Sequence, residues 1–135
     1  MLAPVASAYS TAPVVLVVED DALQRASLVS SLGKEYTVYE ACDGLAALQA
    51  LAEMPRPAVI VCDANMPRMD GLTFARAIKS HERTRGIPLL MTTARTRPLD
   101  VLAGINAGVR HYLPKPIDMR DLLEKVKHDV GSAKG

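Results

Sequence analysis

Short apolar runs alternate with helical periods five times between Val14 and Val130, and this alternation constrains the fold more than any other feature. Val14-Val15-Leu16-Val17-Val18 is a continuous apolar run, β-branched except at Leu16, the pattern of a strand covered on both faces. A helix is expected from Ala22 to Leu32, with Gly33 as its stop, and Tyr36–Glu40 reads as a second, shorter strand. Asp43 can cap a helix running through Glu53, which carries Leu45, Leu48, Leu51 and Ala52 on one face. Pro55 and Pro57 close it, and Ala58–Cys62 is a third, fully apolar strand. The polar loop Asp63–Gly71 precedes a helix from Leu72 to about Ser80, and Leu89–Thr92 is a fourth strand. Pro98 suits the first turn of a helix reaching Ala107, with Gly108 beyond it. Val109–Leu113 is the fifth strand. Asp118 caps a last helix in which Met119, Leu122, Leu123, Val126 and Val130 follow the 3.6-residue period.

Strict alternation predicts an α/β fold with a parallel sheet covered on both faces. The first, third and fourth runs are the most apolar; the second and fifth are shorter and more polar. The order 2-1-3-4-5 puts those two on the edges, the flavodoxin-like (βα)5 doubly wound arrangement, in a single domain spanning residues 14–130. Residues 1–13, small and polar with Pro4 and Pro13, read as a flexible N-terminal tail, and 131–135 as a C-terminal one.

Composition narrows the function classes. With 135 residues, 49% of them apolar, the chain can bury a core and is not disordered. Sixteen basic and fifteen acidic residues leave no uniform basic field, and one Phe with no Trp offers little for bases to stack on, which argues against direct nucleic-acid binding. The balance hides an asymmetry: residues 1–65 carry eight acids and three bases, residues 66–135 seven acids and thirteen bases. Cys42 and Cys62 lack partners at metal-ligand spacing and read as free thiols of a reducing compartment. The N-terminus has no basic n-region and no membrane-spanning run, so a cytoplasmic location without membrane attachment is expected.

Ligands of open α/β sheets bind beyond the carboxyl ends of the strands near the topological switch point, here between the first and third strands. The first strand ends in Glu19-Asp20-Asp21, the third in Asp63 and the fourth in Thr92-Thr93, while Lys115 follows the fifth. Singly, each has an ordinary explanation: an acid as a helix cap or turn residue, a threonine as a strand former, a lysine as a solvated side chain. The fold, however, brings them to one rim. Carboxylates forced together repel unless a cation neutralises them, and oxygen donors without Cys or His favour Mg²⁺ over Zn²⁺. A lysine and a hydroxyl opposite such an ion suit a phosphoryl group. No Walker A loop or Gly-x-Gly-x-x-Gly occurs, so one carboxylate is a candidate nucleophile that forms an aspartyl phosphate.

The stretches V-L-V-V-E-D-D, V-C-D-A-N-M-P-R-M-D-G, T-T-A and Y-L-P-K-P stand in the order and spacing of a known family. From Val14 to Val130 the chain resembles the receiver domains of two-component response regulators. The resemblance implies that Asp63 is the phospho-acceptor and that Glu19, Asp20, Asp63 and the main-chain oxygen of Asn65 hold Mg²⁺. It makes Thr93 the hydroxyl that contacts the phosphoryl group, in preference to Thr92, and Lys115 the cation that pairs with it. Thr93 and Tyr112 become the switch residues, and Asn65 and Arg95 the residues that tune phosphoryl lifetime. Asp21 is left as a helix cap. Lys115-Pro116 matches the family's cis peptide, Gly71 is a candidate for a left-handed turn after Asp70, and Met66 and Met69 are expected to fill space beneath the loop.

The implied activity is a switch rather than an enzyme, one that assists its own phosphorylation and slow dephosphorylation. A histidine kinase or histidine phosphotransfer protein would donate the phosphoryl group, and the surface of the fourth helix, fifth strand and fifth helix would change to control a partner. Only Gly-Ser-Ala-Lys-Gly follows Val130, so output is expected through a separate protein or a covalently linked domain absent from this sequence. A phosphorylation-dependent dimer is compatible with either. Two competing readings are a phosphorylation-independent binding module and a small Mg²⁺-dependent phosphatase; the latter needs a second acid that the matched residues do not offer.

Overall fold

The computed structural model describes residues 12–134, with side chains through Gly131; the expected tail over residues 1–11 lies outside the described residues. The elements run β1 (Val14–Val18), α1 (Ala22–Leu32), β2 (Thr37–Ala41), α2 (Gly44–Leu51), β3 (Val59–Asp63), α3 (Gly71–Ser80), β4 (Leu89–Thr93), α4 (Pro98–Asn106), β5 (His111–Pro114) and α5 (Met119–Lys134). All five strands pair in parallel in the order β2-β1-β3-β4-β5. The fold is the flavodoxin-like one expected from the alternation.

The apolar runs are continuous because both faces of the central strands are covered. Successive residues point to opposite faces. Leu16, Val18, Ile60, Cys62, Leu89 and Met91 pack against Ala47 of α2 and Phe74 and Ile78 of α3. Val15, Val17, Val59, Val61 and Leu90 meet Leu28 and Leu32 of α1 and Leu122 and Val126 of α5 on the other side. Each such side chain, fully buried, contributes about 1.5–3 kcal/mol.

Several boundaries move from where the sequence suggests them. β2 starts at Thr37 because the Tyr36 amide donates back to the Leu32 carbonyl (3.0 Å), so Tyr36 completes the turn after α1. β5 starts at His111 because the amides of Gly108 and Val109 bond to Ile105 and Gly104 and close α4; Gly108 there has φ +94°, a conformation side chains resist. Pro114, unable to donate to a ladder, ends β5 at the sheet edge. α2 stops at Leu51, and residues 52–54 turn back on the Ala50 and Gln49 carbonyls. α5 continues past Val130 to Lys134: Gly131 is not in the left-handed conformation that would stop a helix, so residues 131–134 are helix rather than tail. Among the described residues no helix is long and apolar enough to cross a membrane.

Candidate functional site

α1 leaves β1 toward one face of the sheet and α3 leaves β3 toward the other, which opens a crevice at the carboxyl ends of these neighbouring strands. Glu19 follows β1 directly and is 1% exposed; Asp63 ends β3 and is 4% exposed; Asp20 is exposed. One carboxylate oxygen from each of the three lies within 4.8 Å of the others. Lys115, which follows β5 and precedes a cis bond to Pro116, sets Nζ 3.1 Å from Asp63 Oδ1 and 3.5 Å from Glu19 Oε1.

The electrostatics follow from this crowding. Burial pushes the Glu19 carboxyl up to about 7; the Asp21 amide, which donates to Oε2 at 3.1 Å, opposes the shift, and the Asp63 charge reinforces it. For Lys115, burial works against the ammonium, but the bonds and charges of Asp63 and Glu19 outweigh it and hold its pKa above the ordinary lysine range. Three carboxylates facing one ammonium leave excess negative charge in a largely buried space. The donors are hard oxygens, a set that suits a magnesium-sized cation.

The remaining expected site residues lie around this cluster. Thr93, 2% exposed, closes β4 and accepts a hydrogen bond from the Arg95 amide at 2.9 Å, which leaves its own hydroxyl proton free to donate. Thr92, its neighbour, is equally buried, and its hydroxyl has no hydrogen-bond partner among the described residues. The Asn65 amide donates to Asp63 Oδ1 at 3.2 Å, folding the loop back over the acid. Arg95 is exposed at the rim. Tyr112 stands apart from the carboxylates: its hydroxyl donates to the Asp100 carbonyl at 3.3 Å. Burial, then the Asp100 charge, pushes its phenol up. A cavity of about 110 Å³ lies between, lined by Asn65, Thr93, Arg95, Asp100, Ala103 and Tyr112 among others. Asp21 caps α1 by accepting from the Gln24 amide at 2.8 Å, the role the sequence suggested.

The loop after Asp63 corrects one expectation. Gly71 does not supply a left-handed turn; that conformation belongs to Arg68, with φ 67°. Gly71 is instead a contact position, where a Cβ would sit 2.8 Å from Ala64 Cα and 2.9 Å from the Asp63 carbonyl oxygen. Met66 is buried in the core beneath the loop and Met69 packs against it, as gap-fillers would. Arg68 pairs with Asp43, the buried cap of α2, which also accepts from the Ala46 amide at 2.8 Å. The sequence marked Asp43 only as a cap; nothing in it announces that a left-handed arginine two residues after Met66 spans to it. Arg25 was also missed. It lies on the first turns of α1, and only the folded chain shows that it reaches back to the acidic pair.

An open parallel sheet whose switch point gathers buried carboxylates and a lysine defines a class: α/β domains with an acidic crevice consistent with a Mg²⁺-binding phospho-acceptor site. Comparison with known proteins makes the class specific. The model of the response regulator receiver domain matches residues 15–127, and the chain belongs to that family. It is 41% identical over 114 residues to the response regulator MprA of Mycobacterium ulcerans, covering 84% of this chain and 48% of that protein. The MprA of Mycobacterium avium is 40% identical over 114 residues, with 84% and 49% covered. The chain thus spans about half the length of the curated relatives it matches. Among solved structures, the chemotaxis response regulator CheY4 of Vibrio cholerae superposes with a TM-score of 0.81 at 33% identity, over 88% of this chain and 99% of that one. The receiver domain of the sensor histidine kinase PA1611 from Pseudomonas aeruginosa, which has a magnesium ion coordinated in its active site cleft, gives 0.80 at 28% identity, over 90% and 99%.

Proposed function

We propose that this receiver accepts a phosphoryl group on Asp63 from a histidine kinase or histidine phosphotransfer protein and then changes its α4–β5–α5 surface to control a partner. The reading is carried by one observation: the buried Asp63 carboxylate lies 3.1 Å from Lys115 Nζ and within the same 4.8 Å group of oxygens as Glu19 and Asp20.

In this reading an Asp63 oxygen attacks phosphorus as the phosphorus–nitrogen bond of the donor phosphohistidine breaks, and the electron pair of that bond stays with the imidazole. Lys115 orients the carboxylate beforehand and remains as the cationic partner of a phosphoryl oxygen. The Thr93 hydroxyl, its proton uncommitted, donates to another. Glu19, Asp20, Asp63 and the main-chain oxygen of Asn65 are the residues that would hold Mg²⁺, whose charge, when bound, offsets that of the phosphoryl oxygens. Asn65 and Arg95 flank the acyl phosphate and tune its lifetime.

The switch follows from the space beside the site. When Thr93 moves toward the phosphoryl group, Tyr112 gives up its 3.3 Å bond to Asp100 and turns into the vacated room. α4 responds, and it carries the exposed Leu99, Leu102 and Ile105 as an apolar surface for a partner protein, an attached output domain or a second receiver. A cytoplasmic setting is where such a donor would be met.

The test is incubation with acetyl phosphate, with and without Mg²⁺, followed by intact mass of the wild type and Asp63→Asn. A single phosphoryl addition that requires Mg²⁺ and vanishes in the variant is expected. No addition to the wild type would overturn the reading in favour of a phosphorylation-independent binding module.

A further inference from the structure

We propose that Arg25 is a positioning residue for the cation site, gripping the main chain of the acidic pair so that Asp20 is aimed at the ion; the inference rests on reading Glu19, Asp20 and Asp63 as that site. The guanidinium turns back from α1 over the β1–α1 junction. Its Nη1 donates to the Glu19 carbonyl at 2.8 Å and reaches the Asp20 carbonyl at 3.5 Å, while its Nε donates to Glu40 Oε1 at 3.0 Å. Glu40 belongs to β2 and pairs in register with Val17, so the grip ties the junction to the sheet and not to the helix alone. A planar fork can serve a carbonyl and a carboxylate in two directions at once.

The three carboxylates are held unequally, and this is what gives the grip its purpose. Glu19 is fixed by the Asp21 amide and Lys115, and Asp63 by Lys115 and the Asn65 amide. Asp20 is exposed, and among the described residues no cationic side chain pairs with it. A carboxylate oxygen of Asp20 lies within 4.8 Å of those of Glu19 and Asp63, groups of like charge. The direction of the Asp20 carboxylate is therefore set by its backbone, and the carbonyls of the two peptides that flank the Asp20 Cα are what Arg25 holds.

Two effects of opposite sign separate positioning from charge. Loss of the grip frees Asp20 and weakens cation binding. Loss of the positive charge beside the site strengthens it. Arg25→Lys keeps the charge and loses only the two-directional grip; Arg25→Met loses both.

The experiment is calorimetric titration of the metal-free chain with Mg²⁺, comparing the wild type, Arg25→Lys and Arg25→Met, with thermal midpoints in EDTA as a folding control. Arg25→Lys is expected to bind Mg²⁺ on the order of tenfold more weakly, the lower end of what loss of a residue supporting a metal ligand costs, and Arg25→Met to bind more tightly than Arg25→Lys, because the lost charge offsets part of the lost grip. Wild-type affinity in Arg25→Lys overturns the proposal, whatever the methionine variant does. If Arg25→Met fails to fold, Arg25→Lys decides alone. Absence of Mg²⁺ binding by the wild type overturns the site reading itself and this proposal with it, an outcome distinct from equal binding by all three proteins.

Discussion

Gly104, inside α4, lies against the ring of Tyr112: a Cβ at position 104 would sit 1.7 Å from the phenol oxygen and 2.1 Å from Cε2. An alanine there gains about 1 kcal/mol of helix propensity, yet the ring cannot stay where it is. Because the colliding atoms are the free end of a side chain, the ring turns away and the backbone holds. Gly104→Ala is therefore expected to keep wild-type stability to within about 1 kcal/mol while moving Tyr112 off the Asp100 carbonyl. Tyrosine ring resonances read this directly; unshifted Tyr112 signals would show that α4 had yielded instead.

Asp43 joins the cap of α2 to the loop that carries Arg68. The Ala46 amide, then the Arg68 guanidinium, hold its carboxyl below the ordinary aspartate range, against the effect of burial. A folded-state pKa below the unfolded one means stability that is present above about pH 4 and is lost as pH falls through the folded value. Asparagine caps equally well but carries no charge. Asp43→Asn is thus expected to cost about 1 kcal/mol at pH 7, a modest value because Arg68 is 66% exposed. The gap should close as the pH is lowered below 4. Urea unfolding at pH 7 and pH 3 checks it, and a gap of equal size at both would refute the charge argument.

Mg²⁺ should stabilise the folded chain by relieving the crowded carboxylates. At ten times its dissociation constant the gain is about 1.4 kcal/mol, which corresponds to a rise in Tm of about 5 °C for a domain of this size. EDTA should reverse it, and Asp20→Asn should remove most of it. A shift of equal size in Asp20→Asn would place the ion elsewhere.

Arg95 lies exposed beside Thr93, its amide bonded to the threonine oxygen. In the proposed reading its side chain would shield an acyl phosphate on Asp63 from water. Arg95→Ala is expected to shorten the phosphoryl half-life severalfold without altering the fold, since the backbone bond to Thr93 survives the substitution. Decay of the phosphorylated mass over time measures it, and an unchanged half-life would retire the role.

Much of this was legible in the chain because parallel α/β architecture writes itself in local terms. Strands buried on both faces need uninterrupted apolar runs, and helices between them need one apolar stripe and a cap, so Val14–Val18, Asp21, Asp43 and the period of α5 announce themselves. The strand ends then nominate Glu19, Asp20, Asp63, the Thr92–Thr93 pair and Lys115, because the rim of such a sheet is where its ligands go; the choice of Thr93 comes from the family resemblance. Boundaries were less visible. Tyr36 and Val109 look like strand residues, but their amides are claimed by the turns that close α1 and α4.

By itself, then, the sequence determined the order of elements, the two-sided core and the identity of the charged residues at the rim. Only the tertiary structure decided how those charges are held. The Arg25 grip on Glu19, Asp20 and Glu40, the Arg68–Asp43 pair, the Gly71 contact with Ala64 and the seat of Tyr112 on Gly104 all join residues distant along the chain or on separate elements. The reason is physical. Periodicity and capping are properties of neighbours in sequence, whereas the direction of a guanidinium, or the room beside a glycine, exists only once packed elements have fixed what lies across from it.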